Sequence, residues 1–227
     1  MAQRTGLSNL CPIRRHSIAL FTLLAAFLII ALGALPARAQ GTLKLAVFGD
    51  SLVAGFGLPE TQAFPARLEA ALKQRGHNVR VINAGVSGDT TAGGKARLDW
   101  TLADKPQIVI VELGANDALR GLDPAQTQAN LDDIVGRIKA SGAKVLLAGM
   151  RAPTNWGRQY QQQFDALFPD LARKHGVALY PFFLEGVAMD PKLNQADGIH
   201  PSAAGVEIIV QNMIQQIEAL VKQAAGS

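Results

Sequence analysis

Cysteine is almost absent from this chain of 227 residues, which contains only Cys11. A single cysteine excludes an intramolecular disulfide and a zinc site built from several thiolates. Cys11 precedes a long apolar run, so it is not placed like the acylated cysteine of a lipoprotein. Because the rest of the chain has no thiol, any nucleophile there must be another kind of side chain.

An excess of charge of either sign is also missing from most of the chain. The formal net charge is +4, but four of the 22 basic residues lie within residues 1–39, which contain no Asp or Glu. Residues 40–227 therefore carry 18 basic and 18 acidic side chains. Such a balance gives no electrostatic reason to expect a nucleic-acid partner.

The first 39 residues have the layout of a secretory signal. Basic residues, an apolar run from Ile18 to Leu35 and a small-residue motif at residues 37–39 follow one another. That order predicts a cleaved signal peptide at 1–39 and a single domain at 40–227, either periplasmic or secreted, with no stable membrane insertion after cleavage. A retained membrane anchor is the alternative, because the apolar run is nearly long enough to span a bilayer.

Short apolar runs alternate with helical stretches along residues 40–227, without internal repeats or linkers. The apolar runs are continuous, as expected of strands covered on both faces: Leu43–Phe48, Val79–Ile82, Ile108–Leu113, Val145–Ala148 and Val177–Tyr180. The helical stretches are Phe64–Arg75, Gly93–Leu102, Pro124–Ala140, Gly157–Lys174 and Ala203–Lys222. This alternation predicts an α/β fold: a three-layer α/β/α sandwich around a five-stranded parallel sheet of flavodoxin-like order 2-1-3-4-5.

Chemically useful residues follow the first three predicted strands, where sites lie in such folds. Ser51 follows the first strand, Gly88 the second and Asn116 the third. A serine hydroxyl beside a helix start is a candidate nucleophile, and a glycine N–H and an asparagine amide are candidate donors to an oxyanion. Taken one at a time, each segment also fits an ordinary turn or helix cap.

The turn before the last predicted helix brings a carboxylate and an imidazole together. Asp197 lies three residues before His200, a spacing that lets the carboxylate orient the ring and leaves one ring nitrogen to accept a serine proton. The alternatives are a helix-capping turn and an Asp/His metal pair, which lacks the further ligands of a zinc site. Asp89 is a rival orienting carboxylate, but the spacing favours Asp197.

In order and spacing, these segments resemble the four sequence blocks of the SGNH (GDSL) hydrolase family. The Ser, Gly, Asn and His of those blocks match Ser51, Gly88, Asn116 and His200, and Ala115 stands where a glycine is common. The resemblance spans nearly the whole predicted domain. It is closest to the bacterial periplasmic thioesterases, lysophospholipases and arylesterases.

The resemblance implies a role for each residue. Ser51 is expected to be the nucleophile, His200 the general base and then acid, and Asp197 the carboxylate that orients His200. The Ser51 N–H, the Gly88 N–H and the Asn116 side chain are expected to form the oxyanion hole. No metal or organic cofactor is implied.

The implied activity is that of a serine esterase acting through an acyl-enzyme on a small-molecule or lipid ester: an aryl ester, an acyl thioester or a lysophospholipid. One alternative is a carbohydrate acetylesterase, which uses the same machinery with a different leaving-group pocket. Another is a non-enzymatic flavodoxin-like module that binds a small anion or nucleotide. The sequence indicates neither the acyl length nor the oligomeric state.

Several further residues have two interpretations. Trp156, Tyr160, Phe182 and Phe183 lie in or near the loops after the fourth and fifth strands, where they either line an acyl pocket or belong to the core. Glu112 ends a run that is expected to be buried, so its carboxyl must find a hydrogen-bond partner or titrate abnormally. We expect Glu112 to be structural.

Overall fold

One sheet of five parallel strands forms the centre of the molecule. The strands are β1 (Leu43–Gly49), β2 (Val79–Gly85), β3 (Ile108–Glu112), β4 (Lys144–Ala148) and β5 (Ala178–Tyr180). Their order is β2-β1-β3-β4-β5, which confirms the predicted topology. The coordinates are a computed structural model that describes residues 41–226, so the predicted signal peptide at 1–39 lies outside the described residues.

Helices cover the sheet in two groups. The α-helices are α1 (Ser51–Ala54), α2 (Phe64–Gln74), α3 (Thr91–Ala103), α4 (Ala115–Leu119), α5 (Pro124–Ala140), α6 (Arg158–His175) and α7 (Ala203–Ala225). Helix α2 packs against α7, whereas α5 packs against both α3 and α6. Helices α1 and α4 are short and directly follow β1 and β3. The predicted α/β/α sandwich is thereby confirmed.

The central strands are apolar on both faces because helices cover both sides. Every residue of β3 is buried, and β1 is buried except at Lys44. Each fully buried aliphatic side chain contributes about 1.5–3 kcal/mol to stability. The sheet is therefore a rigid support for the loops at its carboxyl edge.

The predicted and the observed bounds of the strands and helices differ mainly at the ends of these elements. Strand β2 continues past the predicted end at Ile82 to Gly85, because polar and small residues there still pair with β1. Helix α3 begins before the predicted Gly93, since the Thr90 side chain accepts the N–H of Gly93 and caps the helix. Within residues 41–226, no helix is both long and apolar enough to cross a bilayer.

Candidate active site

Ser51 lies at the carboxyl end of β1, where the chain turns directly into α1. Asp50 caps this helix, since its Oδ1 accepts the N–H of Leu52 at 3.0 Å. The turn packs closely against β3: a Cβ at Gly49 would lie only 2.4 Å from Oε2 of Glu112. Glycine is required there because any side chain would collide with the neighbouring strand end.

Two hydrogen bonds join Asp197, His200 and Ser51 in a row. The His200 Nδ1 lies 2.7 Å from Oδ2 of Asp197, and the His200 Nε2 lies 2.9 Å from Oγ of Ser51. A carboxylate can only accept, so Nδ1 carries a proton, and in the neutral imidazole Nε2 is then the acceptor for the serine O–H. The geometry is that of a serine positioned to lose its proton to an imidazole.

The Asp197 turn holds its carboxylate in the charged form. Oδ1 accepts the backbone N–H groups of Ile199 and His200, each at 3.0 Å. The hydrogen bond to the His200 ring and these two N–H bonds lower the pKa of Asp197 from 3.8 to about 2. Asp197 is therefore ionised over the pH range in which an imidazole changes charge.

Two residues that the sequence analysis did not select hold His200 in place. The backbone N–H of Gln195 donates to the His200 carbonyl at 2.8 Å, and the Gln195 side chain donates to the carbonyls of Phe56 and Pro201. The ring of Phe56 lies over the imidazole, with 4.5 Å between centroids. In the sequence, the contact of Gln195 with His200 is indicated only by the position of Gln195 two residues before Asp197.

Arg97 fixes the loop that carries Gly88. Its guanidinium pairs with Asp89 at 2.5 Å and donates to the carbonyls of Ala84 and Gly49 at 2.8 Å each. This one side chain therefore connects the ends of β1 and β2 to the Gly88 loop. Since Asp89 is engaged by Arg97, the structure favours Asp197 as the carboxylate partner of His200.

Asn116 lies in the first turn of α4, after the end of β3. Its Nδ2 donates to Oδ2 of Asp50 at 3.0 Å. The next residue, Asp117, is buried and accepts both the N–H and the hydroxyl of Thr91. Because Thr91 follows the Gly88 loop closely, these bonds fix the position of the Asn116 segment relative to the Gly88 loop.

The three predicted donors border one cavity of about 660 Å³, together with His200. Neither the Ser51 N–H nor the Gly88 N–H has a hydrogen-bond partner within residues 41–226. Both N–H groups, along with the second hydrogen on Nδ2 of Asn116, are therefore available to an oxygen that carries developing negative charge.

The remainder of the cavity is largely apolar. Its apolar lining includes Leu52, Phe56, Leu119, Met150, Phe182 and Leu184. Ser51, Gly88 and Asn116 follow β1, β2 and β3, whereas Met150 and Phe182 follow β4 and β5. The cavity thus combines polar groups that follow β1, β2 and β3 with apolar walls to which the loops after β4 and β5 also contribute.

The aromatic residues that were predicted as possible pocket residues lie in different parts of the structure. Phe182 lines the cavity, as one of the two interpretations held. Phe183 instead points into the core, where it is fully buried and packs edge-on against Phe64. Trp156 does not line the cavity either: its indole N–H donates to the carbonyl of Ala118, and its ring packs beside Gly121.

The other histidines of the described residues are paired on the protein surface. His77 bonds Glu218 at 3.0 Å, and His175 bonds Asp132 at 2.7 Å; neither histidine lines the cavity. Over residues 41–226, no three His, Cys, Asp or Glu side chains are grouped as metal ligands.

Comparison with known proteins places the chain among ester hydrolases. It is 44% identical over 178 residues to the "Esterase TesA" of Pseudomonas aeruginosa, covering 78% of this chain and 89% of that protein. It is 41% identical over 185 residues to the "Thioesterase 1/protease 1/lysophospholipase L1" of Escherichia coli strain K12, covering 81% and 88%. A crystal structure of TesA superposes with a TM-score of 0.75 at 44% identity, covering 78% of this chain and 99% of that one.

The family model agrees with these relatives. The model of the GDSL-like lipase/acylhydrolase family matches residues 47–208, a span that includes Ser51, Gly88, Asn116 and His200. The non-enzymatic alternative is thereby set aside, because the relatives are named as hydrolases. The chain belongs to the GDSL-like lipase/acylhydrolase family of carboxylic ester hydrolases.

Proposed function

We propose that Ser51, His200 and Asp197 form a catalytic triad through which this esterase hydrolyses its substrates by way of an acyl-enzyme. The observation that carries the proposal is the unbroken hydrogen-bond row from Asp197 through His200 to Ser51, at the border of an apolar cavity. The base lies within hydrogen-bond distance of both the nucleophile and the orienting carboxylate, as this chemistry requires.

The first half-reaction forms the acyl-enzyme. The Nε2 of His200 takes the Ser51 proton while Oγ bonds to the substrate carbonyl carbon. The carbonyl oxygen becomes an oxyanion, which the N–H groups of Ser51 and Gly88 and the Nδ2 of Asn116 stabilise. When the bond from this carbon to the leaving oxygen or sulfur breaks, His200 returns its proton to the departing alcohol or thiol.

Water completes the reaction in the second half. His200, neutral again, takes a proton from a water molecule as its oxygen bonds to the acyl carbon. The same donors stabilise the second oxyanion. Collapse of this intermediate releases the carboxylic acid and returns the proton from His200 to Ser51, so the enzyme is regenerated. Asp197 stabilises the imidazolium in both halves without taking up the proton.

We propose aryl esters, acyl thioesters and lysophospholipids as the substrate classes. The walls contributed by residues such as Met150, Phe182 and Leu184 suit an apolar acyl or aryl group. The printed name of the Escherichia coli relative includes thioesterase and lysophospholipase activities, which lie within these classes. A sugar alcohol finds fewer polar partners in such a cavity, so the carbohydrate acetylesterase alternative is less favoured.

A single substrate panel tests this function. Aryl esters of graded acyl length are assayed beside an acyl thioester, a lysophospholipid and an acetylated sugar. We expect kcat/KM to increase from the acetyl ester to longer acyl chains, because each buried methylene contributes about 0.8 kcal/mol. Hydrolysis restricted to the acetylated sugar would contradict the proposed substrate classes and support the alternative.

We further propose that residues 1–39 are a cleaved signal peptide and that residues 40–227 are one hydrolase domain in the periplasm or outside the cell. The support is the order of basic, apolar and small-residue segments. Expression of the full chain, fractionation and N-terminal sequencing test this, and a soluble extracytoplasmic protein starting near Gln40 is expected. An intact N-terminus in the membrane fraction would instead indicate an anchor.

A further inference from the structure

A permanent positive charge borders the cavity at Arg151, in the loop after β4. Among the described residues that line the cavity, the other ionisable side chains are Asp50, which caps α1, and His200, the proposed base. The proposed triad and oxyanion hole therefore give Arg151 no task. In largely apolar pockets, a charged side chain of this kind commonly determines which ligand is bound.

The contacts of Arg151 hold its guanidinium in place but leave its N–H donors unused. The guanidinium carbon lies 4.6 Å from the centre of the Phe182 ring, a cation–π contact with another residue of the cavity wall. Nη2 lies 3.5 Å from Oε2 of Glu185, which is longer than the about 2.7–3.2 Å of an N–H···O hydrogen bond. Within residues 41–226 the guanidinium makes no hydrogen bond, so its five N–H donors are available to a ligand.

The ion pair with Glu185 does not prevent Arg151 from binding another anion. The Arg151 and Glu185 side chains are 58% and 60% exposed, and an ion pair between such exposed groups is weak because water and salt screen it. An anion that presents two oxygens to the guanidinium forms bidentate hydrogen bonds, which are a stronger contact. Such an anion can therefore displace the Glu185 carboxylate.

Phosphate is the anion that the proposed substrate classes offer to Arg151. A lysophospholipid carries its phosphate on the same glycerol as its ester, so both groups can lie in the one cavity that Ser51 and Arg151 border. An acyl thioester of coenzyme A also carries phosphates, but they lie at the far end of a long thiol arm. A simple aryl ester carries no charge. The phosphodiester of a lysophospholipid is therefore the best match to this position.

We propose that Arg151 binds the phosphodiester of a lysophospholipid while the ester of the same molecule lies at Ser51. The proposal rests on the substrate classes proposed above and makes Arg151 the residue that favours lysophospholipids over uncharged esters. The phosphodiester takes no part in bond breaking, so its contact is equally strong in the bound substrate and in the transition state. Arg151 therefore acts on KM and not on kcat.

The ratio of two kcat/KM values measures this preference. Lysophosphatidylglycerol is compared with the monoacylglycerol of the same acyl chain, both below the concentrations at which they form micelles. We expect Arg151→Met to lower the ratio by about 10-fold, the effect of losing a hydrogen bond to a charged group. The loss should lie in the KM of the lysophospholipid, and Arg151→Lys, which keeps the charge, should lose less. An unchanged ratio in Arg151→Met, or a loss that lies in kcat, would overturn the proposal.

Arg158 provides a matched control for the loss of charge. It begins α6, a few residues after Arg151, and it is exposed but does not line the cavity. Arg158→Met removes the same charge from the same segment, so the ratio should stay at its wild-type value. A fall equal to that of Arg151→Met would show that the general charge of this segment attracts the lipid, and would overturn the assignment to Arg151.

Glu185→Gln tests the same site in the opposite direction. The change removes the carboxylate that competes with the phosphate for Arg151, so the ratio should increase by about twofold, the size of effect expected of an exposed ion pair. A decrease would show that the Arg151–Glu185 pair is needed as a unit. That result would contradict a guanidinium that exchanges Glu185 for the substrate.

A second pair of substrates identifies the source of the phosphate. An acyl thioester of coenzyme A is compared with the uncharged N-acetylcysteamine thioester of the same acyl chain, and Arg151→Met should not lower this ratio. A fall confined to the thioester pair would overturn the assignment to a lipid phosphate. Failure of the proposed function is a different result: wild-type enzyme that hydrolyses aryl esters but neither glycerolipid would contradict the proposed lysophospholipid class, and this proposal with it.

Discussion

Ser51→Ala is expected to lower kcat by about 10⁶-fold, the loss typical of removing the nucleophile from a serine triad. The change deletes one oxygen atom, and with it the bond to Nε2 of His200 at 2.9 Å. Without Oγ no acyl-enzyme forms, and residual hydrolysis depends on binding and on the oxyanion donors alone. Steady-state kinetics on an aryl ester measure the loss, and thermal unfolding checks that the fold is intact.

Ser87 provides a matched control for Ser51. It lines the same cavity, but its hydroxyl makes no hydrogen bond to His200. Ser87→Ala should therefore retain catalysis within a few-fold. A serine-directed organophosphonate should label the wild type at Ser51 and fail to label Ser51→Ala. Label on Ser87, or an active Ser51→Ala variant, would show that the nucleophile has been wrongly assigned.

His200→Ala is expected to be about as damaging as Ser51→Ala, because the imidazole carries the proton in both half-reactions. Asp197→Ala should be milder by roughly 10²-fold, the difference seen when a triad loses only its carboxylate. The two losses should not add in the double variant, since the residues act as one unit. Equal losses from Asp197→Ala and His200→Ala would contradict the view that Asp197 transfers no proton.

The dependence of kcat/KM on pH gives an independent measure of Asp197. Because the pKa of Asp197 is about 2, its carboxylate is charged at every pH where the enzyme is assayed. In Asp197→Asn the His200 imidazolium loses this ion-pair partner, so the acidic limb of the profile should move to lower pH. An unmoved limb would indicate that the turn from Asp197 to His200 is structural.

Much of the fold could be predicted because the strands are buried on both faces. Continuous apolar runs such as Ile108–Leu113, short and rich in β-branched side chains, favour such strands. Their alternation with helices predicts a parallel sheet, for which 2-1-3-4-5 is a common strand order. The bounds of the short helices α1 and α4 could not be predicted, since four or five residues have no helical period. Their conformation depends on the caps and packing at the carboxyl edge of the sheet.

The site was only partly predictable for a related reason. Ser51, Gly88, Asn116 and His200 lie at loop positions that a sequence pattern can mark, but their supports lie far away along the chain. Asp50 and Asn116 are 66 residues apart, and no local pattern encodes that hydrogen bond. The neighbours Phe182 and Phe183 likewise enter the cavity and the core separately, and a loop has no period that separates them.

The contribution of the loops after β4 and β5 to the cavity walls has a consequence for how this enzyme can diversify. The loops after β4 and β5 are bonded to each other, since the Phe183 N–H donates to the carbonyl of Gly149 at 2.8 Å. Exchanged together between homologues, residues 149–153 and 181–189 form a cassette that leaves Asp197, His200 and Ser51 untouched. Substitutions in these two loops can thus change the apolar walls of the cavity without replacing any of the three residues proposed as the triad.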